Sequence, residues 1–441
     1  MVEPQISSAK PQASTAPQSA AFFCLSAFYF VYSARPEDWV PLISTIPLAK
    51  ITAILTLLAA FLSAGKTPRK MKDLPKEAFY LLLLIAIMFF SSLLSPVWKG
   101  GAFWDTVDFA KVSIAWVLTF LLVTTLSRFR RIVFIQAASV TVISVVAILK
   151  GHSEQRLGGV IGGIYSNPND LALAIVLSLP FCLAFFLTAK NGLRKIAWIL
   201  SIVVMMAALF MTGSRSGFID LVAAGIVGLW HFGIKGKRLS LIAGAVLIAV
   251  LAFLFLGNTV TQRFFSIGDS TNTQIDEARA SYEDRKLIME KSLEAIARYP
   301  VLGLGTNCLQ TYSGMWREVH MAYLQMAAES GIPALVLYLM YFYCGFRNLR
   351  RIRRAQPDAE TLVFAGALHS SLIGFVVGAC FAPVAYHYFP YFAVCYTAVL
   401  AAMVAEHQPA AASNLRFSAS PQLRFASTYG VQGNSRAFPS R

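Results

Sequence analysis

The chain has 441 residues, of which 56% are hydrophobic and 14% are charged. Soluble proteins carry about a quarter charged residues, so this composition argues against a soluble globular protein. The formal net charge of +16 would suit a nucleic-acid-binding protein. However, the basic residues lie in short loops between apolar blocks and form no basic face interleaved with aromatic residues. We therefore expect a membrane protein that binds no nucleic acid.

The apolar residues form blocks long enough to cross a bilayer, which takes roughly 20 helical residues. The predicted fold class is all-α: a polytopic transmembrane helical bundle of about 12 spans with one large loop that carries short helices. A cleaved signal peptide at the first span is an alternative, but a retained span fits the topology better. The spans are predicted near residues 19–33, 43–64, 77–95, 110–126, 132–149, 170–188, 194–211, 216–233, 239–256, 332–346, 362–381 and 387–405.

Basic residues are distributed unequally between the two sides of the predicted bundle. One set of alternate loops holds 19 of them, and the short loops of the other side hold 6. The positive-inside rule assigns the richer set to the cytoplasm. The basic loops are residues 66–76, 128–131, 190–195, 235–238 and 347–354.

This assignment puts both tails in the cytoplasm and residues 257–331 on the opposite side, which is the periplasm in a Gram-negative cell. Residues 1–18 and 407–441 lack an apolar period and are predicted to be disordered cytoplasmic tails. Nine helices are predicted over residues 19–256 and three over residues 332–406. Residues 257–331 between them form the predicted periplasmic loop, and a long loop within a compact fold is usually functional.

The six cysteines are scattered, without CxxC or metal-ligand spacing. Only Cys308 lies in a predicted aqueous loop, so no disulfide framework is expected. The thiols are interpreted as small buried apolar groups.

The sixth predicted span is preceded by a polar turn over residues 158–170 that contains Tyr165-Ser166-Asn167-Pro168-Asn169-Asp170. Its Asn and Asp residues are placed to cap the helix that follows. Capping accounts for this pattern, and contact with a substrate is the alternative interpretation.

The tight turn Thr212-Gly213-Ser214-Arg215-Ser216-Gly217 joins the seventh and eighth predicted spans. Backbone amides at the start of a helix form a natural anion site. The guanidinium of Arg215 adds a planar fork that matches phosphate oxygens. Alternatively, Arg215 anchors the helix end at the lipid headgroups, paired with Asp220. The surrounding glycines and serines favour phosphate binding, because an anchor does not require them.

The long loop is predicted to contain two helices. Residues 281–298 have an amphipathic pattern that ends before Pro300. A second short helix is predicted over 318–330, with Gly331 at its C-terminus and Pro333 at the start of the next span. The apolar side of the first helix is predicted to contain Leu287, Ile288, Leu293 and Ile296.

Two residues of this loop are candidates for chemistry. Arg285 lies in Glu283-Asp284-Arg285-Lys286, which is also typical of a solvated charged face. His320 titrates near neutrality and is therefore a candidate general base for a hydroxyl. The alternative is a structural histidine, and no Cys, Asp or Glu spacing around it indicates a metal site.

Taken together, the order, spacing and sidedness of these motifs resemble the O-antigen ligase and polymerase superfamily of bacterial membrane proteins. The resemblance covers roughly residues 155–350 by motif and the whole chain by topology. It rests on Tyr165-Ser166-Asn167-Pro168-Asn169, on Thr212-Gly213-Ser214-Arg215-Ser216-Gly217, on Arg285 in a helix that leads to Tyr299-Pro300-Val301-Leu302-Gly303-Leu304-Gly305, and on His320-Met321-Ala322-Tyr323-Leu324-Gln325 with Glu329-Ser330-Gly331-Ile332.

The resemblance implies transfer of a glycan from undecaprenyl pyrophosphate to an acceptor hydroxyl, with neither metal nor nucleotide as cofactor. It implies that Arg215 and Arg285 hold the donor pyrophosphate and that His320 is the base. A direct displacement would invert the anomeric centre. The family's usual residue after the histidine is Asn, whereas this chain has Met321. The further substrate-binding candidates are Ser214, Ser216, Asn169 and Tyr323.

The motifs leave several functions open. The favoured one is an O-antigen ligase-like glycosyltransferase in the lipid bilayer of the bacterial inner membrane, with its active site facing the periplasm. It would join a glycan to a glycan, lipid or protein hydroxyl, such as one on lipid A–core. A repeat-unit polymerase and a protein O-glycosylating ligase are close alternatives. A polytopic transporter or flippase is the alternative from another class, although the internal repeats common in transporters are not seen in the sequence.

Overall fold

The computed structural model describes residues 16–151, 157, 165, 167–244, 273–315 and 319–407. Across these ranges every regular element is helical, which confirms the predicted all-α class. Contacts divide the chain into two units, Met1–Val404 and Ala405–Arg441. Each described helix lies within the first unit except the last one, which continues to His407.

The helices are numbered in chain order. They are α1 Ala16–Ala34, α2 Pro36–Trp39, α3 Leu48–Leu62, α4 Lys76–Leu93, α5 Lys99–Leu122, α6 Leu126–Lys150, α7 Pro168–Thr188, α8 Gly192–Thr212, α9 Arg215–Gly228, α10 Thr273–Arg298, α11 Leu309–Ser313, α12 Ala322–Ala355, α13 Ala359–Gly378 and α14 Tyr388–His407. Short 3₁₀ turns lie at Pro41–Ile43, Ala64–Lys66 and Met71–Asp73, and α9 continues as a π-helical turn over Leu229–Ile234. Residues 239–244 are also helical.

Within the described residues, eight helices are long and apolar enough to cross a membrane. They are α4, α6, α7, α8, α9 with its π-helical turn, α12, α13 and α14. Three further predicted spans overlap α1, α3 and α5. Helix α3 has only 15 residues, and α5 begins eleven residues before the predicted start. The predicted ninth span, 239–256, lies outside the described residues beyond Gly244. The multi-pass bundle is thus confirmed, at eight apolar spans in the part of the chain that the structure describes.

Basic loops meet at one end of the bundle. Nη1 of Arg69 donates to the carbonyl oxygen of Phe120 at 3.0 Å, which joins the loop after α3 to the end of α5. Arg130, near the start of α6, forms an ion pair with Glu360 at the start of α13. A guanidinium suits the carbonyl-rich end of a helix. We call this end, defined by Arg69 and Arg130, the basic end.

The opposite end brings together the turns that carry the predicted motifs. Tyr165 donates its hydroxyl hydrogen to the carbonyl oxygen of Ser33 at 2.6 Å. The amide of Leu157 donates to the carbonyl oxygen of Met211 at 3.0 Å. These bonds join the segment between α6 and α7 to the ends of α1 and α8. We call this the site end.

Helix α10 differs from its prediction in length and in the side that it buries. It begins at Thr273, eight residues before the predicted start. From residue 283 onward, where its side chains are described, the buried residues are Ile288, Ser292 and Ala295. Ile288 and Ala295 belong to a small apolar cluster. The partners in that cluster include Ala102, Leu304, Cys308, Leu309, Val319 and Ala328. Cys308, predicted in an aqueous loop, is therefore buried, and all six cysteines are free thiols.

The predicted placement of Leu287 and Leu293 on the buried side of α10 is wrong, because both are exposed. Ser292 follows Ile288 by four residues and Ala295 follows Ser292 by three, so the three residues share one side of the helix. The small side chains of Ser292 and Ala295 allow α10 to approach the cluster closely. The apolar pattern had predicted that the large side chains of Leu287 and Leu293 would be buried. In the structure, the smaller side chains of Ser292 and Ala295 are buried instead.

Helix α12 is broken at Gly331, which has φ of +87°. The predicted end of one helix and start of the next span at this glycine are confirmed, although the first segment begins at Ala322 rather than at 318. The amide of Ile332 donates to the carbonyl oxygen of Pro300 at 2.8 Å. A Cβ atom on Gly331 would lie 2.1 Å from the carbonyl oxygen of Val301. Only glycine fits both the left-handed backbone and this close approach.

Candidate active site

The turn between α8 and α9 places Arg215 at the first position of a membrane-spanning helix. Gly213 ends α8 in the left-handed conformation, with φ of +57°. Ser214 caps α9, because its Oγ accepts from the amide of Gly217 at 3.1 Å. A Cβ atom on Gly217 would lie 2.7 Å from the Cβ of Ala172, so α9 and α7 touch at this point. The predicted turn residues thus position Arg215 beside the start of α7.

The start of α7 contributes hydrogen-bonding groups to the same place. Asn167 caps α7 by accepting from the amide of Asn169 at 3.0 Å, which confirms the predicted capping role of this turn. The side chain of Asn169 is not needed as the cap of α7. Its Oδ1 instead accepts a hydrogen bond from Ser214 Oγ at 2.8 Å.

Ser216 joins the same arrangement, with its Oγ at 3.0 Å from Ser214 Oγ. Since the hydrogen of Ser214 is directed at Asn169, Ser216 is the donor in this pair. Three of the predicted substrate-binding residues, Asn169, Ser214 and Ser216, thus form one hydrogen-bonded cluster. We call it the Asn169 cluster.

The two predicted phosphate-binding arginines influence each other electrostatically although they lie on different helices. Arg285 is exposed on α10. Loss of solvation and the positive charge of Arg215 lower the pKa of Arg285. The start of α9 adds the partial positive charge of a helix N-terminus. This part of the site end concentrates positive charge, which favours an anion with several oxygens, such as a pyrophosphate.

His320 is half-buried immediately before α12. The segment that holds it is fixed to the end of α13, because the amide of Ala322 donates to the carbonyl oxygen of Ala379 at 2.8 Å. Tyr323 Oη donates to the carbonyl oxygen of Val376 at 2.7 Å. The hydroxyl hydrogen of Tyr323 is thus used within the fold. Toward a substrate, the hydroxyl oxygen of Tyr323 therefore acts as a hydrogen-bond acceptor.

Met321 occupies the N-cap position of α12. Its backbone is extended, with φ of −155° and ψ of 110°, as an N-cap requires. Its side chain makes no capping hydrogen bond. An Asn, which the family resemblance led us to expect here, is among the preferred capping residues. The departure at this position therefore removes a helix cap and leaves the imidazole of His320 in place.

Helix α13 links the segment of His320 to the helix of Arg215. A Cβ atom on Gly378, the last residue of α13, would lie 2.5 Å from Oδ2 of Asp220 on α9. Asp220 is buried, so the two helices meet closely here. His320 and Arg215 are consequently held at the same end of the bundle.

Comparison with known proteins bears directly on this arrangement. Residues 200–339 match the family model described as O-antigen ligase. The predicted family resemblance is confirmed. The matched segment contains Arg215, Arg285, His320 and Tyr323, whereas Asn169 lies before it. A comparison with curated proteins found no match.

The O-antigen ligase family consists of membrane glycosyltransferase-like enzymes, and a multi-pass bundle suits a lipid-linked glycan substrate. Within the matched segment, Arg215 lies near enough to Arg285 for its charge to lower the pKa of that guanidinium. Outside it, the Asn169 cluster brings α7 to the same place. The candidate site thus includes a residue, Asn169, outside the segment that matches the family model.

One pair near the site was missed by sequence reasoning. His387, in the loop between α13 and α14, lies with Nε2 3.8 Å from Oδ1 of Asp170. Asp170 adjoins Asn169 of the Asn169 cluster. The two partners are far apart in sequence, and their spacing gives no signal. The pair fixes the loop before α14 to the start of α7.

A second missed contact holds the break in α12. Tyr386 Oη donates to Oε2 of Glu329 at 2.7 Å. Burial and the charge of Glu329 raise the pKa of Tyr386 well above its ordinary value, so the phenol keeps its proton. The backbone oxygen of Glu329 accepts from Ser91 Oγ at 2.9 Å and from the amide of Gly305 at 2.8 Å. Glu329 therefore joins α12 to α4, to the segment after α10 and to the loop before α14.

Proposed function

We propose that this chain is an O-antigen ligase-like glycosyltransferase that moves a glycan from undecaprenyl pyrophosphate to an acceptor hydroxyl. The observation that supports it best is the approach of Arg215 to Arg285, within the segment that matches the O-antigen ligase family. A leaving pyrophosphate needs its negative charge stabilised. Two guanidinium groups supply that stabilisation electrostatically.

The proposed reaction is a single displacement. The acceptor oxygen attacks the anomeric carbon, and its proton passes to the imidazole of His320. The bond between the anomeric carbon and the pyrophosphate oxygen breaks, and its electron pair stays on that oxygen. The products are the glycosylated acceptor and undecaprenyl pyrophosphate. The protonated imidazole then releases its proton to water, and the anomeric centre is inverted.

The donor and acceptor roles fall on different residues. Negative charge is on the donor, so its binding depends on Arg215 and Arg285. The Asn169 cluster adds hydroxyl and amide groups that can orient phosphate or sugar oxygens. The acceptor brings a neutral hydroxyl, so its activation depends on a base. Loss of His320 should therefore reduce turnover, whereas loss of an arginine should also reduce donor binding.

The test is glycan transfer by the purified full-length protein, measured beside binding of the lipid-linked donor. His320→Ala is expected to reduce transfer by on the order of 10²–10⁴, as for removal of a general base, with donor binding retained. His320→Gln distinguishes a base from a packing residue, since glutamine fills a similar volume. His407→Ala, at the far end of α14, is the control. Near-normal transfer by either His320 variant would remove this residue from the mechanism.

The acceptor decides between the ligase and its close alternatives. The same displacement makes a polymer when the acceptor is a second lipid-linked repeat unit, and a glycoprotein when it is a serine or threonine. Analysis of the product in the same assay distinguishes these outcomes. Release of intact donor on the other side of a vesicle, without transfer, would instead support a flippase.

We further propose that the site end faces the periplasm and the basic end faces the cytoplasm. The support is the charge bias of the loops, which meet at the basic end through Arg69 and Arg130. Cysteines introduced at Ser216 and Ser313 in a cysteine-free background should react with a membrane-impermeant reagent from outside. Reaction from the cytoplasmic side alone would overturn this topology.

A further inference from the structure

The exposed surface of α10 has two different sides. Leu287 is 44% exposed, whereas Met289 and Leu293 are 46% and 53% exposed. Successive helical residues are turned by about 100°, so Arg285, Met289, Leu293 and Ala297, four residues apart, follow one row along the helix. We call this row the apolar row, because Arg285 alone among the four is polar.

Leu287 belongs to a different side of the helix. The residues that surround it at helical spacing are charged: Glu283, Glu290, Lys291, Glu294 and Arg298. Lys291 and Glu294 form an ion pair of 2.9 Å there. Helix α10 therefore has three sides: one buried against the small apolar cluster, one exposed and charged, and one exposed and apolar. An exposed apolar side suits contact with lipid, whereas a helix surrounded only by protein and water does not require one.

Both ends of this stretch lie where membrane-spanning helices begin. Ile288 of α10 shares the small apolar cluster with Ala102, in the first turn of α5. Near the same end, the charge of Arg215, the first residue of α9, acts on Arg285. After α10 ends, Pro300 accepts from the amide of Ile332, the first residue of the spanning segment of α12. Thirteen helical residues separate Arg285 from Arg298, which corresponds to about 20 Å along the axis. Both ends of this part of α10 therefore lie level with the ends of membrane-spanning helices. This part of α10 consequently runs along the membrane surface.

The apolar surface continues from α10 to the spanning segment. Val301 follows α10 and is 62% exposed. Its neighbour Pro300 is bonded to Ile332, and Ile332 and Val336 are exposed on the segment that enters the membrane. Lys286 flanks the row, with Nζ 3.9 Å from Oε1 of Glu290. A lysine at the edge of a lipid-facing surface can extend its ammonium group toward the headgroups.

We propose that α10 is an interfacial helix whose apolar row, with Val301, lies in the acyl-chain boundary of the bilayer. The occupant of this surface is the phospholipid bilayer itself. Amphipathic helices of this kind lie in the plane of the interface with their apolar side inserted. The consequence for the site is that Arg285 is held at the depth of lipid phosphates. This inference does not depend on the transferase activity, since it concerns lipid contact alone.

The test places a photoreactive amino acid at position 293 or at position 287 of the full-length protein in phospholipid nanodiscs. The two positions have similar exposure and lie on the same helix, so each controls for the other. Position 293 is expected to crosslink to phospholipid several-fold more than position 287, and position 289 should behave like 293. Thermal unfolding of each variant verifies the fold.

Equal crosslinking at positions 293 and 287, whether strong or weak, would overturn the proposal. A second measurement uses Leu293→Glu and Leu287→Glu. Insertion of a carboxylate into the apolar boundary should push the apolar row away from lipid. The photoreactive residue at position 289 should then lose lipid crosslinks in Leu293→Glu and keep them in Leu287→Glu. Retention in both variants would also contradict an inserted row.

Discussion

Ser214 Oγ donates to Asn169 Oδ1 at 2.8 Å, and this bond joins the start of α9 to the start of α7 beside Arg215. The same oxygen accepts from the amide of Gly217. One hydroxyl therefore both starts the helix of Arg215 and ties it to a neighbouring helix. The residue that precedes Arg215 is thereby held against α7.

Asn169→Ala should lower donor binding by on the order of tenfold, because it removes one hydrogen bond that orients the arginine turn. The fold should persist, since α7 is capped by Asn167. The measurement is donor binding beside thermal unfolding. Asn191→Ala is the matched control, because Asn191 caps α8 through a 3.0 Å bond at the other end of that helix. Equal donor binding by the two variants would contradict this role of Asn169.

Arg285→Lys should make donor binding sensitive to alkaline pH. Loss of solvation and the charge of Arg215 lower the pKa of a cation at this position. Lysine, with an ordinary pKa of about 10.4, is charged below its pKa and neutral above it. Donor affinity of the variant should therefore fall as pH rises toward that lowered pKa, whereas arginine keeps its charge. The check is donor binding between neutral and alkaline pH.

The control for this pH dependence is Arg298→Lys, on the same helix but on its charged exposed side. It should retain the wild-type profile. Identical profiles for Arg285→Lys and the wild type would mean that the charge at position 285 does not hold the donor.

Gly331→Ala should destabilise the protein by at least about 1–3 kcal/mol, since it imposes a side chain on a left-handed backbone. The added Cβ would also lie 2.1 Å from the carbonyl oxygen of Val301. Thermal unfolding measures the loss. Gly225→Ala in α9 is the matched control, because nothing lies within 4 Å of its Cβ position. That helical variant should be neutral or stabilised by up to about 1 kcal/mol. Similar unfolding temperatures in both variants would contradict the strain at Gly331.

Met321→Asn should stabilise α12 by about 0.5–2 kcal/mol, because it restores a capping side chain at a position that already has N-cap geometry. Transfer activity should not fall, since the imidazole of His320 is unchanged. Denaturation and transfer assays on the same preparation provide the check. A loss of stability would show that the thioether of Met321 contributes packing that outweighs the missing cap.

The sequence predicted those features that depend on local backbone chemistry. Gly331 before Pro333 indicated a helix break because glycine permits the left-handed backbone and proline suits a helix start. The segment around Gly213 likewise indicated a turn, whereas the capping bond of Ser214 was not predicted. The family resemblance, rather than spacing, linked Arg215 to Arg285.

Features that depend on distant contacts were not predictable from the pattern. Apolar periodicity put Leu287 and Leu293 on the buried side of α10, whereas the cluster beneath selects Ser292 and Ala295. Asp170 and His387 meet because α7 and the loop before α14 share the site end. Tyr323 was predicted to contact the substrate, and nothing in the sequence indicated that its hydroxyl donates to the carbonyl oxygen of Val376.

The contacts of Glu329 have a consequence for biosynthesis. Spans of a membrane protein emerge from the ribosome in chain order. Ser91, which bonds the backbone of Glu329, is present early, whereas Tyr386, which bonds its carboxylate, belongs to the last loop. The break in α12 consequently reaches its final form only when the loop before α14 has been made. Contacts at the site end are thus completed last, and a chain that stops before Tyr386 lacks the bond to the carboxylate of Glu329.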